Sequence, residues 1–290
     1  MRIDQLLVQR ALASTRSQAQ RLIAGGVEWQ QGEIWRRVVK NGDEVPADAQ
    51  VRLLDDAEAR YVSRGGLKLE AALQQVGLNP AGWQCLDVGQ STGGFTDCLL
   101  QRGAGLVVGV DVGSAQLHPS LRADPRVLCV EKLNARHLDA SDLIAAYADS
   151  VSATGQFDLE DEGDEAAADG VDPKSTAPSS GDFVPAFDLI VADLSFISQT
   201  LVLPAVVPLL KAGGWLLTLV KPQFELQPGQ VGKGGIVKDA ALYVVVEQRV
   251  RDACAALDLG VTHWFDSPID GGDGNREFFI AAQKPQASQE

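Results

Sequence analysis

Cys85-Leu86-Asp87-Val88-Gly89-Gln90-Ser91-Thr92-Gly93-Gly94-Phe95-Thr96-Asp97 runs from an apolar strand, through an acid and a glycine, into a turn of glycines and hydroxyls and then an apolar helix, Phe95 to Leu100. Strand, tight glycine-rich turn and helix in that order open a nucleotide-binding α/β sheet. Three ligand classes compete for such a loop. A phosphate loop needs G-x-x-x-x-G-K-[ST]; Gly89 and Gly94 have that spacing, but Phe95 stands where the lysine must be. A dinucleotide fold wants G-x-G-x-x-G, and Ser91 breaks it. What survives is a loop allowing close backbone approach with a carboxylate beside it, which suits a ligand bearing an amino group and a sulfonium. A second strand, Leu106 to Val110, ends at Asp111, 24 residues after Asp87. An acid at that tip can accept hydrogen bonds from both ribose hydroxyls of a nucleoside. Asp111 alone also reads as a cap or turn residue; with the Asp87 loop it favours S-adenosylmethionine.

Four ionisable residues fall where strand tips and helix starts converge on this loop. Lys68, in Ser63-Arg64-Gly65-Gly66-Leu67-Lys68-Leu69, lies in the first turn of an amphipathic helix. Asp193 ends the apolar strand Phe187 to Ala192. Lys221 ends the strand Trp215 to Val220, with Pro222 stopping the ladder behind it, and Glu277 opens the last strand. The carboxyl ends of the parallel strands in a doubly wound sheet form the ligand crevice. A ribose hydroxyl is a feeble nucleophile at neutral pH, so methyl transfer to it needs alignment and a route for its proton. Two lysines sharing a crevice favour a neutral amine able to take that proton, while Asp193 and Glu277 orient them and oppose the effect. Each of the four alone reads as a surface lysine, a cap, a strand end or an edge acid. Their concurrence beside a cofactor loop points to catalysis.

Upstream, Leu6, Leu7, Ala11 and Leu12 make an apolar stripe at helical spacing, ending near Ser14. Thr15 with Gln18 forms a capping box for a second helix, buried through Ala19, Leu22 and Ile23 and stopped by Gly25-Gly26. Short strands are predicted at Val27 to Trp29 and Ile34 to Val38, with turns at Gln31-Gly32 and Asn41-Gly42. By pattern this is a small α+β unit with a basic face. Arg2-Ile3-Asp4-x-Leu6-Leu7, Arg16-Ser17-x-Ala19, Leu22-Ile23 and Gly26-Val27 resemble the S4-type RNA-binding domain. The resemblance implies contacts mainly with phosphates, which position a catalyst without choosing a base.

With 290 residues and 45% hydrophobic content, the chain can bury a full α/β core and carry one small extra domain. The net charge of −14 is unusual for an RNA-binding protein until it is divided by region. Residues 155–183 carry nine acids against Lys174, a net −8, amid Gly, Ser, Pro and Ala without helical period; a solvated, disordered insertion is predicted. Residues 1–40 are net +4. Cys85, Cys98, Cys129 and Cys254 are scattered in apolar segments with no C-x-x-C, which argues against structural zinc and disulfides and fits a reducing cytoplasm. No metal site is predicted. Leu201 to Val220 contains Pro204, Pro208, Lys211 and Gly213-Gly214, and reads as helix, turn and strand instead of a membrane span.

The runs Ser63-Arg64-Gly65-Gly66-x-Lys68-Leu69, Asp87 to Asp97, Asp193-Leu194-Ser195-Phe196-Ile197-Ser198, Val220-Lys221-Pro222-Gln223-Phe224-Glu225 and Gly232-Lys233-Gly234-Gly235 resemble the TlyA (hemolysin A) family. That family joins an S4-type domain to an FtsJ-like 2'-O-methyltransferase. The resemblance implies a Rossmann-like class I S-adenosylmethionine-dependent methyltransferase sheet over residues 61–287 and a small α+β RNA-binding domain over 1–60. It implies a Lys-Asp-Lys-Glu tetrad, mapping onto Lys68, Asp193, Lys221 and Glu277, and ribosomal RNA cytidines as acceptors. Cofactor contacts are expected from Asp87, Gly89, Ser91, Gly93, Gly94, Phe95, Asp111, Asn134 and Asp193, and RNA contacts from Arg2, Arg16, Arg21 and Arg64. The family has Arg-Thr-Asn where this chain has Lys132-Leu133-Asn134. A cytoplasmic enzyme with ribosomal RNA or subunits as partner, and no stable protein partner, is the expectation. The family's older name suggests membrane lysis instead, but the sequence has no span, strongly basic amphipathic helix or alternating barrel strands. A non-catalytic RNA-binding scaffold is the third reading, and the intact tetrad argues against it.

Overall fold

In the computed structural model, which describes residues 1–13, 15–54, 59–155, 183–271 and 274–287, two sheets form. The chain begins with helices α1 (Ile3–Gln9) and α2 (Arg16–Gly26) and strands β1 (Val27–Gln31), β2 (Ile34–Arg37) and β3 (Val51–Leu53), paired antiparallel in the order β2-β1-β3. Thr15 caps α2, its side chain accepting from the Gln18 N–H at 3.2 Å. The Gln18 amide turns away from the cap and donates to the Tyr61 carbonyl at 3.3 Å, joining α2 to the following segment. The first helix is shorter than its stripe predicts: it stops at Gln9, and Ala11 takes φ +56. Leu12 and Ala13 reach the small core from that turn, alongside Ile3, Leu6, Leu22 and Val27. β3 was not expected from the sequence, because three residues are too few to display a strand's alternation.

The larger sheet follows α3 (Gly65–Val76) and is built from β4 (Gln84–Val88), α4 (Gly94–Gln101), β5 (Leu106–Val110), α5 (Pro119–Arg122), β6 (Val127–Val130), α6 (Ala140–Gly155), β7 (Phe187–Ala192), α7 (Leu203–Val206), β8 (Leu210–Val220), α8 (Pro222–Glu225), α9 (Ala241–Ala255), β9 (Gly260–Asp266) and β10 (Phe278–Gln283). Its order is β6-β5-β4-β7-β8-β10-β9. The central strands are apolar on both faces because both are covered. Leu86, Val88 and Ile190 face one core, while Cys85, Leu189 and Val191 face another that holds Leu69, Leu73 and Leu99. Burying each such aliphatic side chain contributes about 1.5–3 kcal/mol.

Two features of this sheet place the site. From β4 the chain winds one way to β5 and β6, then returns to β7 and β8, so the crevice opens at the carboxyl tip of β4, where the order reverses. β10 runs antiparallel between β8 and β9 and pairs Phe278 with Val220, which carries Glu277 to the same sheet edge as Lys221. β8 starts earlier than the predicted Trp215, with an irregularity against β7 between Phe187 and Leu189, opposite a stretch where Gly213 takes φ +75.

Most of the predicted acidic insertion, residues 156–182, lies outside the described residues. Its edges are corrected: α6 runs on past Ala148 to Gly155, and Phe183 stacks on Tyr147 with ring centroids 4.6 Å apart.

Candidate active site

The loop after β4 turns on Gly89, at φ +85. Parallel pairing of Val88 with Ala192 brings this loop against the tip of β7, and a Cβ on Gly89 would lie 2.9 Å from the Asp193 carbonyl oxygen. Only glycine satisfies both the conformation and the approach. The resulting cleft, about 430 Å³, is lined among others by Gly89, Ser91, Asp111, Asn134 and Asp193. Asp111 uses one carboxylate oxygen for the Ser91 N–H and the other for the Gly113 N–H, each at 2.7 Å, so it shapes the loop as well as facing the cleft. Asn134 accepts from the Arg136 N–H at 3.1 Å through its carbonyl. A smaller recess of about 150 Å³ continues from the cleft past Ser63, Gly94, Phe95 and Asp193 to Lys221.

Two expected cofactor residues line neither space. Asp87 is 1% exposed beneath the loop. Side chains alternate along a strand, so Asp87 follows Cys85 towards α4. There it accepts from Thr96 Oγ at 2.7 Å, and Thr96 accepts from the Gln90 amide at 2.9 Å. Burial pushes the Asp87 carboxyl up to about 7, against the Thr96 hydrogen bond and with help from Asp193. Gly93 is a packing glycine: a Cβ there would collide with Leu121 and Leu117. Phe95 borders the recess but spends its ring in the core, stacked with Phe279 at 6.4 Å.

The four tetrad residues come together as two ion pairs. Lys68 and Glu277 are both buried and hydrogen-bonded to each other. Lys221 Nζ lies 2.6 Å from Asp193 Oδ1 and donates to Ser195 Oγ at 2.9 Å; the aligned hydrogen bond is the one to Ser195. Burial raises the Glu277 carboxyl above its ordinary range, opposed first by Lys68 and then by Lys221, with Asp193 adding to the rise. The two lysines are not equivalent. Lys221 borders both the recess and a second pocket of about 560 Å³, whereas Lys68 lies behind Glu277 and borders neither.

That second pocket contains residues whose motifs the sequence displayed but whose roles it did not. Phe196 is 91% exposed at φ +66, its ring packed against that of Phe224 on the pocket wall with centroids 5.2 Å apart. Gly234 and Gly235 form another wall. Buried Asn275 holds that wall, accepting from the Val237 N–H at 2.9 Å and donating to the Gly235 carbonyl at 3.0 Å. An aromatic three residues beyond the strand-end acid Asp193 was the available signal for Phe196.

Of the expected RNA contacts, Arg2 and Arg16 converge on Asp4, each at 2.9 Å from the same carboxylate oxygen. Asp4 is fully buried, and the Arg2 hydrogen bond foremost holds its carboxyl well below the usual range. Both guanidiniums keep about half their surface in solvent, at 44% and 54% exposed. Arg21 is half-buried on α2, and Arg64, also half-buried, precedes α3 on the catalytic side.

Residues 61–284 match the FtsJ-like methyltransferase family, and residues 1–26 match the S4 domain. The 16S/23S rRNA (cytidine-2'-O)-methyltransferase TlyA of Mycobacterium tuberculosis is 38% identical over 288 residues, covering 96% of this chain and 88% of that protein. Hemolysin A of Brachyspira hyodysenteriae is 32% identical over 283 residues, covering 96% and 98%. Among solved structures, a hemolysin-named protein from Streptococcus thermophilus superposes with a TM-score of 0.64 at 34% identity, covering all of this chain and 91% of that one.

Proposed function

Since the chain belongs to the FtsJ-like methyltransferase family and carries an S4 domain at its N-terminus, we propose that it moves a methyl group from S-adenosylmethionine to the ribose 2'-hydroxyl of a cytidine in ribosomal RNA. The observation that carries this reading is the position of Lys221, bordering both the recess beside the glycine loop and the pocket flanked by Phe196 and Phe224. The cytidine and the ribosomal RNA come from the names of the relatives, of which the protein from Campylobacter jejuni is a 23S rRNA (cytidine-2'-O)-methyltransferase.

The cleft fits the cofactor in its donor set. It offers the Asp111 carboxylate for ribose hydroxyls, Asn134 at the base side, and a glycine backbone free of a Cβ at Gly89. When bound, S-adenosylmethionine supplies an electrophilic methyl group on a positively charged sulfur. Asp193, on the wall of both cleft and recess, would place negative charge near a sulfonium bound there. Lys221 Nζ, in its neutral amine form, takes the proton of the acceptor hydroxyl, and Asp193 and Ser195 hold the ammonium that results. Lys68 fixes Glu277 at the pocket wall, where Lys221 also favours its charged form. The exposed ring of Phe196, packed against Phe224, offers a stacking surface for an unpaired base. Arg2 and Arg16, yoked by Asp4, present two donors to RNA phosphates, with Arg21 and Arg64 as further contacts. Work on ribosomal RNA puts the enzyme in the cytoplasm. Among the described residues, no helix is long and apolar enough to cross a membrane.

Lys221→Met tests the reading. Calorimetric titration should give nearly unchanged S-adenosylmethionine binding, while methyl transfer falls about 100-fold or more, the scale of lost acid–base assistance. Normal turnover in that variant would remove Lys221 from the mechanism.

A further inference from the structure

The loop beyond β7 that carries Asp193, Ser195 and Phe196 ends at Ser198-Gln199, and these two residues are gripped on both sides of Lys221 in the chain. Before Lys221, Gln199 accepts from Thr218 Oγ at 2.6 Å and donates its amide to the Leu219 carbonyl. After it, Glu225 accepts from Ser198 Oγ at 2.5 Å with one oxygen and from the Gln199 N–H at 2.8 Å with the other. Ser198, Gln199, Thr218 and Glu225 are all buried, Glu225 at 2% exposure. Glu225 forms no ion pair among the described residues; Arg249 nearby donates to its backbone carbonyl, at 2.7 Å.

A carboxylate in such a place is a poor way to stabilise a turn. Burial pushes its carboxyl up, because an ionised group taken out of water costs free energy that hydrogen bonds must offset. What two bonds from one rigid carboxylate do supply is direction. We propose that Glu225 is a positioning residue for methyl transfer, latching the loop that bears Asp193, Ser195 and Phe196 to the turn that bears Lys221 and Phe224. The latch fixes the approach of Lys221 Nζ to Asp193 and Ser195, and the contact between the Phe196 and Phe224 rings on the pocket wall. It rests on the roles given to Lys221 and Asp193 above.

The test uses the full chain with S-adenosylmethionine labelled in its methyl group and ribosomal subunits purified from cells lacking this gene. Glu225→Ala should bind S-adenosylmethionine normally and show a normal KM for it, while kcat per cofactor-binding site falls about 10- to 100-fold, the scale of a small misplacement of reacting groups. Glu225→Gln should recover most of the rate, since its carbonyl still accepts from the Gln199 N–H and its amide can donate to Ser198 Oγ. A merely structural role would lower the melting temperature and leave kcat per binding site unchanged, and that result overturns the proposal. If Glu225→Ala does not fold, Ser198→Ala removes one of the two bonds with a smaller hole and carries the same readouts. A crystal structure of the variant decides the geometry without turnover: Lys221 still on Asp193 and Ser195, with Phe196 in place, overturns the latch, and a displaced loop supports it. Wild-type enzyme that labels neither subunit would refute the function reading instead, and the crystallographic arm would still decide the latch.

Discussion

Lys68→Met removes one partner from the most deeply buried ion pair among the described residues and leaves the Glu277 carboxylate without its neighbour. Methionine keeps the length of the lysine stem, so the packing of α3 changes little and the electrostatic loss dominates. Removing one partner of a buried pair costs about 3–5 kcal/mol, because the remaining charge is uncompensated. Glu277 still feels Lys221 and can also escape by binding a proton, so the low end, about 3 kcal/mol, is expected at pH 8. The pH dependence follows from the direction of the shift. Burial already raises the Glu277 carboxyl in the folded state, and Lys68 is the first of the influences opposing that rise. Without Lys68 the folded value rises further above the unfolded one. A raised folded-state value favours folding below the unfolded carboxylate range, and this advantage is lost as pH climbs through the folded value. The deficit of the variant relative to wild type should therefore be small at pH 5 and full at pH 8. Urea unfolding of both proteins at the two pH values measures it. Adding Glu277→Gln should recover most of the loss at pH 8. A deficit equal at both pH values, or none, would refute the electrostatic account of this pair.

Asp87→Asn should flatten part of the pH dependence of stability. The buried Asp87 carboxyl is raised to about 7, so wild type loses stability between about pH 4 and pH 7, and the two urea profiles should diverge by at most about 4 kcal/mol over that window. Parallel profiles would mean that Asp87 is not raised. Asp111→Ala should weaken S-adenosylmethionine binding about 10- to 100-fold, through lost hydroxyl acceptors and a loosened Ser91 loop. An unchanged dissociation constant would reduce Asp111 to a turn residue.

Much of this fold was legible because local chemistry and tertiary demand agree. The strand-turn-helix from Cys85 to Asp97, the strand before Asp193, the carboxyl end of the strand before Lys221 and the Thr15 side of the expected capping box formed where the pattern put them. The clustering of Lys68, Asp193, Lys221 and Glu277 was legible for a different reason: each alone reads as structural, and only their concurrence beside the glycine-rich loop set them apart. What the sequence concealed depends on side-chain direction and on partners distant in the chain. Asp87 looked like a ligand-facing acid, but strand alternation turns it towards Thr96. The difference between Lys68 and Lys221 emerges only when β10 inserts antiparallel beside β8 and brings Glu277 over. Glu225 and Asn275 were invisible as latches because their partners lie 26 to 40 residues away.

The central claim, methyl transfer to a ribose hydroxyl of ribosomal RNA, is tested most directly by mass spectrometry of nucleosides. Subunits from cells lacking the gene are incubated with S-adenosylmethionine and either wild-type protein or Lys221→Met, and their RNA is digested to nucleosides. The account requires 2'-O-methylcytidine to appear with wild-type protein and to be nearly absent with the variant. Methyl groups on bases or on ribosomal proteins instead, or equal product from both proteins, would contradict it.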